Sequence, residues 1–61
     1  MNEIDVFKKD MDIQRQQSAK PIYALVNSPV FTKRYKREVI DAIIENTSEF
    51  LEELKVMRDS I

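Results

Sequence analysis

The chain has 61 residues, of which ten are basic and eleven acidic, and it contains no histidine, cysteine or glycine. The absence of histidine and cysteine excludes the commonest general base, thiol nucleophiles and most zinc sites, and the absence of glycine excludes phosphate-cradling loops. We therefore expect one small helical domain over residues 1–61 that is not an enzyme and binds no cofactor or metal ion. So short a chain buries little surface, and a second copy or a partner is expected to cover more of it.

Charge is segregated along the chain. Residues 18–37 hold five basic and no acidic side chains, a net charge of +5, whereas residues 38–61 hold two basic and seven acidic ones, a net charge of −5. The longest uninterrupted apolar run spans only residues 22–26, which is too short for a signal peptide or a membrane span. We therefore expect a cytoplasmic protein that does not act on a membrane.

The first segment is typical of an amphipathic N-terminal helix. Asn2 is placed to cap it, and Ile4, Phe7 and Met11 follow the i, i+3, i+7 spacing of one helix face. Polar residues then take over that face, so the helix is expected to fray, or to leave its packing partner, around residues 16–19. The lack of glycine also disfavours tight hairpin turns, and the fold class predicted is all-α with two to three helices.

The middle of the chain predicts a short second helix over residues 22–26. Pro21 fits the first position of such a helix, because its fixed φ suits a helical start and its missing N–H leaves no bond unmade there. Ser28 followed by Pro29 then reads as the cap and first residue of a new helical turn. The pattern leaves open whether that turn runs directly into the last helix or whether the last helix begins only near Lys36.

The C-terminal third predicts one long helix. Apolar residues alternate steps of three and four, with a single polar position, through the seam Ile40, Ile43, Thr47, Phe50, Leu54, Met57 and Ile61. Ile44 and Leu51 widen this seam to the breadth that a helical bundle uses. Asn46 with Glu49 resembles a capping box, so a break at residues 46–48 remains an alternative.

Four basic residues in five positions form the most conspicuous local cluster: Lys33, Arg34, Lys36 and Arg37. Such a cluster can serve solubility alone, meet an acidic or apolar groove of a larger protein, or neutralise the phosphates of a nucleic acid. Nucleic acid is the less favoured partner, because the acidic segment that follows would repel it. Aromatic residues beside basic ones are typical interface anchors, which points to Tyr23, Phe31 and Tyr35.

The basic start of an acidic helix also predicts self-association. It would attract the carboxylate-rich end of an antiparallel copy, giving a homodimer of helical hairpins or a small bundle. The function expected is that of a small regulatory or accessory protein, of the kind phages and plasmids encode, which binds other proteins through its apolar and basic middle segment. The alternatives are a small helical nucleic-acid-binding regulator that uses residues 33–37 and a structural oligomerisation module.

Overall fold

The computed structural model describes residues 2–61 and contains two α-helices and no strand within that range. Helix α1 spans Glu3–Asn27 and helix α2 spans Lys33–Asp59. The chain divides after Val30 into two compact units, one around each helix. The predicted all-α class and the long C-terminal helix are confirmed.

Helix α1 begins where the sequence places its cap. Asn2 has an extended backbone, and its side-chain Oδ1 accepts a hydrogen bond of 2.9 Å from the backbone N–H of Asp5. Glu3 and Asp5 lie in the first turn, where negative charge is favoured by the positive end of the helix dipole. The predicted N-terminal boundary is therefore confirmed in its chemical detail.

Pro21 lies inside α1, which continues without interruption to Asn27. The predicted fraying at residues 16–19 and the separate helix over residues 22–26 are therefore wrong. A proline in a helix interior removes one backbone hydrogen bond and crowds the carbonyl four residues earlier. It is accommodated here because its fixed φ is helical, and because the preceding glutamine, alanine and lysine residues are good helix formers.

The connection between the helices uses Ser28 and Thr32 in different roles. The Ser28 N–H bonds to the Leu25 carbonyl at the end of α1, and its hydroxyl oxygen accepts from the Val30 N–H at 3.3 Å. Thr32 is the cap of α2, since its Oγ1 accepts from the Tyr35 N–H at 3.1 Å. The predicted helical start at Ser28 is thus wrong, and α2 begins earlier than the alternative start near Lys36.

Replacing Thr32 by alanine is expected to lower the free energy of unfolding by about 1 kcal/mol, because the Tyr35 N–H loses its partner. Thermal unfolding followed by circular dichroism measures the change, and Thr32→Ser should restore most of it. Thr47→Ala is the matched control, since that threonine lies inside α2 and alanine is the better helix former. Equal losses in Thr32→Ala and Thr47→Ala would contradict the capping role.

Helix α2 passes through residues 46–48 without a break. The hydroxyl of Thr47 donates a hydrogen bond of 2.8 Å to the carbonyl of Ile43, one turn earlier, so this polar side chain is satisfied within its own helix. At the other end, the Ser60 N–H reaches the carbonyls of Val56, Met57 and Arg58 and closes the last turn. The alternative of a helix break at residues 46–48 is excluded.

No residue in the described range 2–61 is buried. Partial burial is confined to the C-terminal part of the first unit and the N-terminal half of α2: Ala19, Ile22, Leu25, Ser28, Lys36, Val39, Ile40 and Ile43. Neither helix is long and apolar enough over its described residues to cross a membrane. Most apolar side chains of this chain therefore remain in contact with solvent.

Candidate interaction surface

Helix α2 separates apolar and acidic side chains onto opposite sides. At about 100° per residue, the seam positions fall within an arc of about 100°. We call them the apolar stripe: Ile40, Ile43, Thr47, Phe50, Leu54 and Met57. The acidic face lies opposite, within a similar arc: Glu38, Asp41, Glu45, Glu49, Glu52 and Asp59. Because the helix is continuous, these two surfaces run along its whole length.

The C-terminal half of the apolar stripe is open to solvent. Phe50 is 53% exposed, Leu54 42% and Met57 52%, whereas Ile40 and Ile43 are half-buried. Ile61, which follows the helix, is fully exposed. Covering the exposed half of each large side chain would contribute about 1 kcal/mol, since burying one completely contributes about 1.5–3 kcal/mol. Contact between this stripe and another apolar surface would therefore be favourable in free energy.

The four basic residues do not form one patch, because α2 winds them onto different sides. Lys33 and Arg37 lie along one edge of the apolar stripe, and Lys36 occupies a position of the stripe itself, one turn before Ile40. Arg34 lies on the acidic face, where its Nε is 3.3 Å from a carboxylate oxygen of Glu38.

Counting back from Ile40 by four and then three residues identifies Lys36 and Lys33 as continuations of the seam. The sequence contains this spacing, but both lysines belong to a run of basic residues, so the charge pattern is noticed before the spacing. The stripe therefore ends at its N-terminus in two lysines, and three of the four basic side chains lie on or beside it.

Phe31 and Tyr35 form an aromatic pair at the start of α2. Their ring centroids are 5.2 Å apart and the planes are inclined by 26°, a stacked arrangement worth about 0.5–1.5 kcal/mol beyond area burial. The rings remain 41% and 46% exposed. The Thr32 cap fixes the backbone N–H of Tyr35, so the pair is held on ordered backbone rather than on a free loop. These two predicted anchors are brought together.

Tyr23 belongs to the other compact unit. It lies on α1 and is 67% exposed, beside a shallow open depression that is also lined by Arg15, Gln16, Ala19 and Lys20. The predicted set of three aromatic anchors is thus distributed over both helices, with one anchor in the first unit and two in the second.

Over residues 2–61 no three carboxylates lie close enough together to hold a metal ion, and the ion pairs of this range are exposed and join near neighbours in sequence. Exposed pairs of that kind contribute about 0–1 kcal/mol each. Comparison of the chain with protein-family models, with curated proteins and with solved structures finds no significant match.

Proposed function

We propose that this chain is a small, non-enzymatic accessory or regulatory protein of the cytoplasm that acts by binding a larger protein. One observation carries the proposal: a stacked, half-exposed aromatic pair lies at the start of α2, in the same first turns of the helix as three cationic side chains. Aromatic and basic residues in combination are enriched at the centres of protein interfaces. The partner is a protein with an apolar groove bordered by carboxylates.

The two kinds of side chain have different roles in this binding. Lys33, Lys36 and Arg37 attract the acidic border of the groove over a distance and so raise the rate of association. Phe31 and Tyr35 then enter the groove and supply the contact area that slows dissociation. Thr32 supports both groups, because it fixes the first turn from which they project.

Reversing the charge of Lys33, Lys36 and Arg37 together by substitution with glutamate is expected to reduce the association rate with the partner about 10- to 100-fold at low salt. The difference should shrink at 1 M salt, where screening acts over about 3 Å. Capture from native-host extract, quantified by mass spectrometry, identifies the partner, and stopped-flow or surface-based kinetics then measures the rate.

Arg34→Glu is the matched control for this experiment, because Arg34 lies on the acidic face and pairs with Glu38. It changes the total charge in the same direction, by a smaller amount, at a position outside the proposed surface. If Arg34→Glu reduced the association rate as much as the triple variant does, net charge, and not the positions of Lys33, Lys36 and Arg37, would direct binding.

The alternative function is nucleic-acid binding by the same residues. The observation that favours it is the exposed ring of Tyr35 in the same helical turns as cationic side chains, since bases stack on aromatic rings while basic groups neutralise phosphates. The acidic face on the same helix opposes it. A salt titration with labelled single-stranded and duplex DNA and RNA separates the two functions. Binding that weakens steeply with salt and is lost in the triple variant supports the alternative, and no binding at low salt removes it.

A further inference from the structure

We propose that the apolar stripe of α2 is covered by α2 of a second copy of this chain, packed antiparallel to it. This pairing goes beyond the binding of a larger protein, because it assigns an occupant to a surface that the aromatic pair and the basic edge do not use. It takes up the stripe over residues 40–57, in which Phe50, Leu54 and Met57 are about half exposed.

The apolar stripe of one α2 helix matches the stripe of a second α2 helix that runs in the opposite direction. When residue i of one helix lies level with residue 97 − i of the other, Ile43 faces Leu54 of the second copy and Ile40 faces Met57. Thr47 then faces Phe50, so that the one polar position meets the largest side chain. In the same alignment Ile44 and Leu51 lie on the same edge of the stripe, offset by two residues or about 3 Å along the axis, and antiparallel helices bring such flanking positions together. Apart from Phe50, which faces Thr47, each apolar seam residue over residues 40–57 thereby finds an apolar partner.

Thr47 fits this interface although it is polar. Its hydroxyl already donates to the Ile43 carbonyl at 2.8 Å, so covering the side chain leaves no unpaired donor. Its small volume accommodates the ring of Phe50. The single polar position of the stripe therefore presents a methyl group to the second copy at no hydrogen-bonding penalty.

Charge decides the orientation. A parallel pair would bring two copies of the cluster at residues 33–37 side by side, with Lys33 and Lys36 at facing seam positions and no acidic residue among them. The antiparallel pair separates the two clusters by about 40 Å at 1.5 Å per residue. Arg37 then comes level with the C-terminal end of the second helix, where Arg58 is already paired with Asp59 at 3.0 Å. Opposed helix dipoles favour the same orientation.

Spin labels at two positions of α2 distinguish the orientations. The chain has no native cysteine, so Ser48→Cys and Asp59→Cys each give one labelling site, and both positions are exposed and lie away from the stripe. In the antiparallel pair the two Ser48 sites are level, whereas the two Asp59 sites are offset by about 30 Å along the axis. Pulsed electron paramagnetic resonance should therefore give a clearly longer distance between the two spin labels for Asp59→Cys than for Ser48→Cys.

Equal distances at the two sites would mean a parallel pair and would overturn the proposal, as would the absence of any intermolecular distance at 100 µM protein. Circular dichroism of each labelled variant verifies that its helix content equals that of the parent chain. The outcome is independent of the proposed function. If the chain forms an antiparallel dimer but captures no host protein, the pairing stands and the proposed larger partner is contradicted. If the chain is a monomer that captures a host protein, the pairing is contradicted and the proposed function stands.

Discussion

Phe50→Ala combined with Leu54→Ala is expected to abolish self-association. Each truncation removes a half-exposed side chain that the second copy would cover, at a cost to association of about 1 kcal/mol. Both copies carry the change, so the dissociation constant should rise by about 1,000-fold or more. Sedimentation equilibrium or light scattering over a dilution series measures the shift, and the double variant should remain monomeric at concentrations where the parent chain is dimeric.

Val56→Ala is the control that this experiment requires. Val56 is also a large apolar residue of the same helical turns and is 68% exposed, but it lies on the acidic side of α2. Its truncation should leave the dissociation constant unchanged within a few-fold. If the double variant and Val56→Ala weaken association equally, or if neither does, the apolar stripe is not the interface.

The second large effect concerns Pro21. Because α1 is continuous across this residue, Pro21→Ala restores a backbone hydrogen bond, relieves the crowding of the preceding turn, and should raise the free energy of unfolding by about 3 kcal/mol. Thermal and urea unfolding, followed by circular dichroism at one fixed protein concentration, measure this stabilisation. A fixed concentration is needed because self-association shifts the apparent stability.

Pro29→Ala is the matched control, since this second proline lies in the connection between the helices. Proline there restricts the unfolded chain, so alanine should lower the stability by about 0.4–1 kcal/mol. The two proline variants should thus move in opposite directions. A Pro21→Ala variant with unchanged or reduced stability would show that this residue begins a helix, as the sequence pattern suggested, instead of lying inside one.

The course of α2 was predictable because one signal, the alternating steps of three and four, runs through it without a change of phase. The helix boundaries around the connection were less predictable for a local reason. Pro21 has the same φ at a helix start and in a helix interior, so its presence does not distinguish the two. Ser28 and Thr32 are both good caps four residues apart and both have extended backbones, so only the conformation of the residues that follow shows which of them precedes a helix.

The candidate site was predictable in composition but not in arrangement. In the sequence the run of Lys33, Arg34, Lys36 and Arg37 indicates one patch, whereas the helical period assigns Arg34 to the acidic face with Glu38. The stacking of Phe31 on Tyr35 depends on the chain direction just before α2, which the sequence does not specify. The exposure of Phe50, Leu54 and Met57 depends on packing between distant residues, and a periodic pattern alone cannot give it.

The acidic face of α2 limits how many copies of this chain can assemble. Once two stripes cover each other, the outward faces of the two α2 helices are predominantly negative and repel the same faces of neighbouring pairs. A two-fold arrangement is also closed, since each copy uses and satisfies the same patch. Growth into fibres or amorphous aggregates is therefore opposed by the very residues that take no part in the contact, and the assembly is expected to stop at a small, finite number of chains.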